Sequence, residues 1–169
     1  MIKKLILTIT PLILLLSCIP STQSNLINPE GKSISTRFNT PEGFIRENYD
    51  TNSFEYYLRT LPLKKHLSKV MLYNGSQKTI QSAHEAVVDM KIGNKNLHQC
   101  ADAVMRLRAD YLYHQKEYSK IHFNFTNGFE CRYDKWAEGF RLAIKGNQTS
   151  WIKQKNQDNS YPTFWAYLE

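Results

Sequence analysis

With 169 residues, of which 41% are apolar, 22% charged and 12% aromatic, the chain has the length and composition of one folded domain, which excludes a disordered protein. Its 22 Lys and Arg against 15 Asp and Glu give a formal charge of +7, with the cations scattered among the acids. The dense basic face of a nucleic-acid binder is missing, so no nucleic acid is expected as a partner.

The chain opens "MIKKLILTITPLILLLSC". Lys3 and Lys4 form a positive lead, followed by an apolar run over residues 5–16 that is interrupted by Thr8, Thr10 and Pro11. A spanning helix needs about 20 apolar residues, so this run is too short for an anchor and fits a secretory leader. Ser17 then places a small residue before Cys18, and "LLSC" has the order of a bacterial lipobox. Residues 1–17 are therefore expected to be a lipoprotein signal peptide, and Cys18 the lipidated residue that ties the protein to a membrane. Ile19 is not the aspartate associated with inner-membrane retention, so the expected location is the cell envelope of a bacterium, at the outer membrane. Peptidoglycan or envelope proteins are the partners such a place offers. Loss of Lys3 and Lys4 with the leader would leave a formal charge of +5, since 7 − 2 = 5.

Residues 18–35 carry two prolines, a glycine and five serines or threonines and read as the lipidated cysteine followed by a flexible tether. The single domain is expected over 36–169. "SFEYYLRTLPL" (53–63) predicts a short helix with Ser53 as its N-cap and Pro62 as its stop. "KVMLYNGSQK" (69–78) alternates and then turns at Asn74-Gly75, and "AHEAVVDMKIG" (83–93) predicts a strand to pair with it.

"LHQCADAVMRLRADYLYHQ" (97–115) predicts an amphipathic helix capped by Asn94 or Asn96. Its apolar stripe is Leu97, Cys100, Ala101, Val104, Leu107, Tyr111 and Leu112. Asp102, Arg106 and Asp110 form i,i+4 pairs on the other side, read as a solvated face. "KIHFNFTNG" (120–128) alternates Ile121, Phe123 and Phe125 against polar residues. "YDKWAEGFRLAIKGN" (133–147) predicts a helix stopped by Gly146, and "SYPTFWAYLE" begins a further element. The fold class expected is α+β, a small, mostly antiparallel sheet packed with two or three helices.

Beyond Cys18, the cysteines are Cys100 and Cys131. Cys100 has three readings: a small core residue, one half of a disulfide with Cys131, or a nucleophile. The third rests on physics, because the unpaired N–H groups and dipole of a helix N-terminus stabilise a thiolate. His84 is the candidate base. Asp89, an odd number of residues away on an extended segment, faces the opposite side and cannot orient it. His84, His98, His114, His122 and Cys131 have neither a CxxC nor a paired-His spacing, so no metal or other cofactor is expected.

The stretches "YLRTLPLK", "VMLYNGSQK", "AHEAVVDMKIGNKNLHQCADAVMRLRADYLY", "IHFNFTNGF" and "YDKWAEGF" resemble an uncharacterised family of bacterial envelope lipoproteins, a domain of unknown function (4846), over residues 40–169. A helix-borne cysteine followed by a Gly-His strand, as in that family's longer chains, is similar to papain-like amidases and peptidases that act on cell-wall peptides. The resemblance implies Cys100 as nucleophile and an incomplete papain-like domain, since the sequence reaches Glu169 without a Gly-His strand. The leading expectation is a lipid-anchored cell-envelope protein with a structural or binding role. The alternative is a papain-like cysteine hydrolase, or its inactive remnant.

Overall fold

The computed structural model describes residues 26–97 and 99–169. The leader 1–17, Cys18, the tether up to residue 25 and His98 lie outside the described residues. Helix α1 (Ile34–Arg37) shows that residues 26–35 behave differently from the tether their composition suggests. Arg37 is 2% exposed and donates Nε and Nη2 to the Gly31 carbonyl at 3.0 and 2.7 Å, and Nη2 to the Lys64 carbonyl at 3.2 Å. A buried guanidinium needs acceptors, and the turn at 28–31 supplies one. Ile27 bridges Phe38 and Ser33 bridges Pro62, so this segment is part of the folded domain.

Ser53 opens α2 (Phe54–Thr60) by accepting the Tyr56 amide on its hydroxyl at 3.1 Å, and the helix ends ahead of Pro62, as the sequence signals require. The turn at Asn74-Gly75 also forms, with Leu72 N donating to Ser76 O at 2.8 Å. The strands around it do not propagate. Residues 69–78 hold a single Met71–Gln77 bridge, and 83–93 pair with Leu63 through Val88, not with the hairpin. One cause is Gln81, whose side-chain amide accepts from Val70 N at 3.0 Å and donates to Val70 O at 3.1 Å, closing the strand end.

Helix α3 (Cys100–His114) is the longest among the described residues, and the inside of its first half differs from the sequence reading, while Leu112 is buried as the stripe predicts. Gln99 is the N-cap; its amide donates to Asp102 Oδ2 at 3.3 Å, while Asn96 only accepts from the Gln99 side chain. The buried face carries Arg106, Ala109, Asp110 and Leu112. The first part of the expected apolar stripe faces outward: Leu97, Cys100 and Ala101 are exposed, and Val104 is 65% exposed. Periodicity finds two faces on a helix, but neighbouring elements decide which is covered.

After a 3-10 turn at Tyr118–Lys120, β1 (His122–Asn124) and β2 (Glu130–Arg132) form an antiparallel ladder with Phe123 opposite Cys131. The expected 133–147 helix divides in two. Helix α4 (Tyr133–Ala137) stops at Gly139, and β3 (Phe140–Lys145) and β4 (Gln148–Lys153) form a second ladder with Leu142 opposite Trp151. Gly139 has φ +96°, and a Cβ there would meet Lys155 O at 2.1 Å. Its carbonyl accepts from Gln154 N and Lys155 N, which brings the chain after β4 onto the helix end.

Helix α5 (Tyr161–Leu168) completes the core. Ala109, Leu112, Ile121, Tyr133, Ala137 and Phe164 are buried together, with the Tyr113 and Phe164 rings stacked at 4.4 Å. Ring pairs of this kind add about 0.5–1.5 kcal/mol each beyond area burial. The architecture is α+β, with five α-helices among the described residues and its antiparallel strands divided between two small ladders.

Candidate functional site

Cys100 is the first residue of α3, and its side chain is exposed. This position excludes the core reading. Cys131 is a buried free thiol on β2, so the two are not joined. Burial pushes the Cys131 thiol up, with the Tyr167 hydroxyl acting the other way, which suits an inert packing residue. Cys100 stands in the wall of a concavity of about 1140 Å³ between the 70–78 hairpin and the segment 87–92. Asp89 also lines it.

His84 is engaged elsewhere. Its Nε2 lies 3.1 Å from the Ser68 carbonyl oxygen on a half-buried ring, and it is not part of the wall that holds Cys100. The structure thus brings Cys100 and Asp89 to one concavity and leaves His84 outside it.

A second, smaller cavity adjoins the first, sharing Ile92 and Lys95 with it. It measures about 260 Å³ and is walled by Ile92, Met105, Phe123, Phe125, Trp165 and Leu168. Apolar walls with a few fixed polar groups are the usual make-up of a small-ligand site. Here the polar groups are Asp102, which caps α3, Arg106, Asn124, Tyr167 and the Lys95–Glu169 ion pair at 2.9 Å. Glu169 also accepts from Trp165 Nε1 at 2.9 Å, so the indole is held in place.

Arg106 of that wall belongs to an ionic group the sequence reading left in solvent. Arg106 Nε donates to Asp110 Oδ2 at 3.2 Å, its Nη1 donates to the Lys91 carbonyl, and its guanidinium lies 4.2 Å from the centre of the Trp165 ring. Tyr161 donates its hydroxyl to the free oxygen of Asp110 at 3.2 Å. One signal could have revealed this. Arg106 and Asp110 are four residues apart on α3, and Tyr161 and Trp165 repeat that spacing on α5, so the two helices present matching polar and aromatic rows.

The family described as Domain of unknown function (4846) matches residues 34–169, from the first residue of α1 to the end of α5. The chain belongs to this family. Both concavities and the Arg106–Asp110 pair lie inside the 4846 domain. No curated protein and no solved structure matches the chain.

Proposed function

We propose that this protein is a lipid-anchored component of the bacterial cell envelope whose 4846 domain binds a partner molecule without turning it over. The observation that carries the binding role is the cavity of about 260 Å³, in which the Phe123, Phe125 and Trp165 rings meet Asp102, Arg106, Asn124 and one ion pair. The "LLSC" stretch ending at Cys18 supports the anchor, and among the described residues no helix is long and apolar enough to cross a membrane. Outer-membrane placement follows from Ile19, and peptidoglycan fragments are the partner of first choice in that compartment.

The test adds soluble peptidoglycan fragments to the protein and follows both tryptophan fluorescence and the fragments themselves. The expected result is a saturable fluorescence change that is lost in Trp165→Phe, with the fragments recovered intact. Unchanged fluorescence would remove the binding role. The anchor is tested by the mass of the N-terminal peptide from the envelope fraction, where an unmodified Cys18 would remove it.

One observation favours the alternative of a cysteine hydrolase: the exposed position of Cys100 at the start of a 15-residue helix. In that reaction the thiolate attacks an amide carbonyl, and a base that has taken the thiol proton returns it to the leaving amine. His84, held on Ser68, would have to leave that carbonyl to serve. Cleaved fragments that disappear with Cys100→Ala would establish this reading and overturn binding alone.

A further inference from the structure

Two extended stretches border the larger concavity, each paired on one side only among the described residues. In the first, Lys64 N donates to Val87 O at 2.9 Å and Asp89 N donates to Pro62 O at 2.7 Å. Those bonds surround the Leu63–Val88 bridge, and alternate residues of an antiparallel strand direct their backbone groups to opposite sides. The Val88 amide and carbonyl therefore point away from Leu63, along an outer edge on which the amide is open and the carbonyl already accepts from Met90 N at 3.1 Å. The second stretch has the same pattern. Leu72 N donates to Ser76 O, and Lys78 N to Val70 O, around the Met71–Gln77 bridge. The amide and carbonyl of Met71 accordingly face away from Gln77. Met71 and Val88 both line the concavity, together with Val70 and Leu72.

The charge around these edges is one-sided. Lys64, Lys78 and Lys91 line the concavity against a single acid, Asp89, while the fourth lysine there, Lys95, is held by Glu169. Backbone edges call for an alternating row of donors and acceptors, which an extended peptide has and a lipid surface lacks. The lysines call for carboxylates. We propose that the concavity between residues 70–73 and 87–91 binds an extended acidic peptide by strand addition, with the Met71 and Val88 edges pairing its backbone and Lys64, Lys78 and Lys91 facing its carboxylates. This site adjoins the aromatic cavity through Ile92 and Lys95, but the two edges and Lys64, Lys78 and Lys91 belong to the larger concavity alone, so either can fail without the other.

The experiment measures fluorescence anisotropy of a dye-tagged, capped peptide of alternating Glu and Val on titration with the full chain carrying Cys18→Ser. The expected result is saturable binding that weakens about tenfold in the double variant Lys78→Glu, Lys91→Glu and weakens again as added salt screens the charges. Both lysines are exposed, so circular dichroism of the variant should match that of the parent. A peptide methylated on every second amide should bind about tenfold more weakly, because it cannot pair along one edge. Saturation should also slow alkylation of Cys100, which shares the wall.

No rise in anisotropy would overturn the proposal. Equal affinity of the methylated peptide would overturn strand addition, and equal affinity of a Lys and Val peptide would overturn the charge argument. Phosphatidylglycerol vesicles that bind the protein in a Lys78- and Lys91-dependent way and displace the peptide would make the patch a membrane contact and likewise overturn it.

Discussion

Arg106 and Asp110 stand 3.2 Å apart on successive turns of α3, with their side chains 5% and 6% exposed. Each has further partners, the Lys91 carbonyl for the guanidinium and the Tyr161 hydroxyl for the carboxylate. Removing one member of such a pair leaves a buried charge uncompensated, at a cost of about 3–5 kcal/mol, whereas replacing both with apolar residues is often neutral. Arg106→Ala and Asp110→Ala should each lower stability by about that amount, and Arg106→Met with Asp110→Leu by less than either. Urea unfolding of the three variants checks this, and simple addition of the two single losses would contradict it.

Tyr57 ties stability to alkaline pH. Burial, and then the charge on Asp110, push its hydroxyl from 10.0 to about 12, and burial also raises Tyr113 and Tyr161. The folded state holds these protons more tightly than the unfolded chain, so their contribution is complete below pH 10.0 and is lost as pH rises through about 12. The urea midpoint should fall over that interval, and less steeply in Tyr57→Phe. A midpoint that rises there would contradict the assignment.

Gly139 cannot take a side chain. Its φ of +96° is strained for other residues, and a Cβ would lie 2.1 Å from a backbone oxygen that cannot swing aside. Gly139→Ala should cost at least about 2 kcal/mol and loosen the chain after β4 from α4. Thermal unfolding and amide exchange at Gln154 and Lys155 measure the two effects; a variant as stable as the parent would show that the turn is placed otherwise.

The two thiols should separate cleanly by accessibility. In a Cys18→Ser chain, Cys100 should react with a disulfide reagent at once, and Cys131 only after denaturant is added. Counting released thiolate before and after unfolding is sufficient. Two fast thiols in the native protein would contradict the burial of Cys131, whose carbonyl accepts from the Tyr167 hydroxyl of α5 at 2.7 Å.

What the sequence revealed follows from how local each signal is. The Ser53 cap, the stop before Pro62 and the turn at Asn74-Gly75 depend on neighbours within a few residues, and all formed as read. The alternation of Ile121, Phe123 and Phe125 also held, with Ile121 fully buried. The facing of α3 was not legible, because α5 covers the Arg106 side from more than 50 residues further along the chain. The break at Gly139 depends on Lys155, and the failure of 69–78 and 83–93 to pair depends in part on Gln81 capping Val70. For the candidate site, the sequence singled out Cys100 and placed it correctly at the start of α3, while the aromatic cavity needed Trp165 to arrive from α5.

Asn127 joins the two ladders. Its side-chain amide donates to Asn147 O at 2.8 Å and to Thr149 Oγ1 at 3.0 Å, while its oxygen accepts from Phe129 N at 3.0 Å. A two-stranded ribbon has little rigidity alone. Because one side chain is fastened to both turns, the ribbons resist bending as a single plate, and a force applied at the tip of one is carried into the other. The stiffness of that end of the molecule therefore resides in the Asn127 amide and the Phe129–Trp151 ring contact at 5.7 Å, and Asn127→Ala would remove the polar part of that joint.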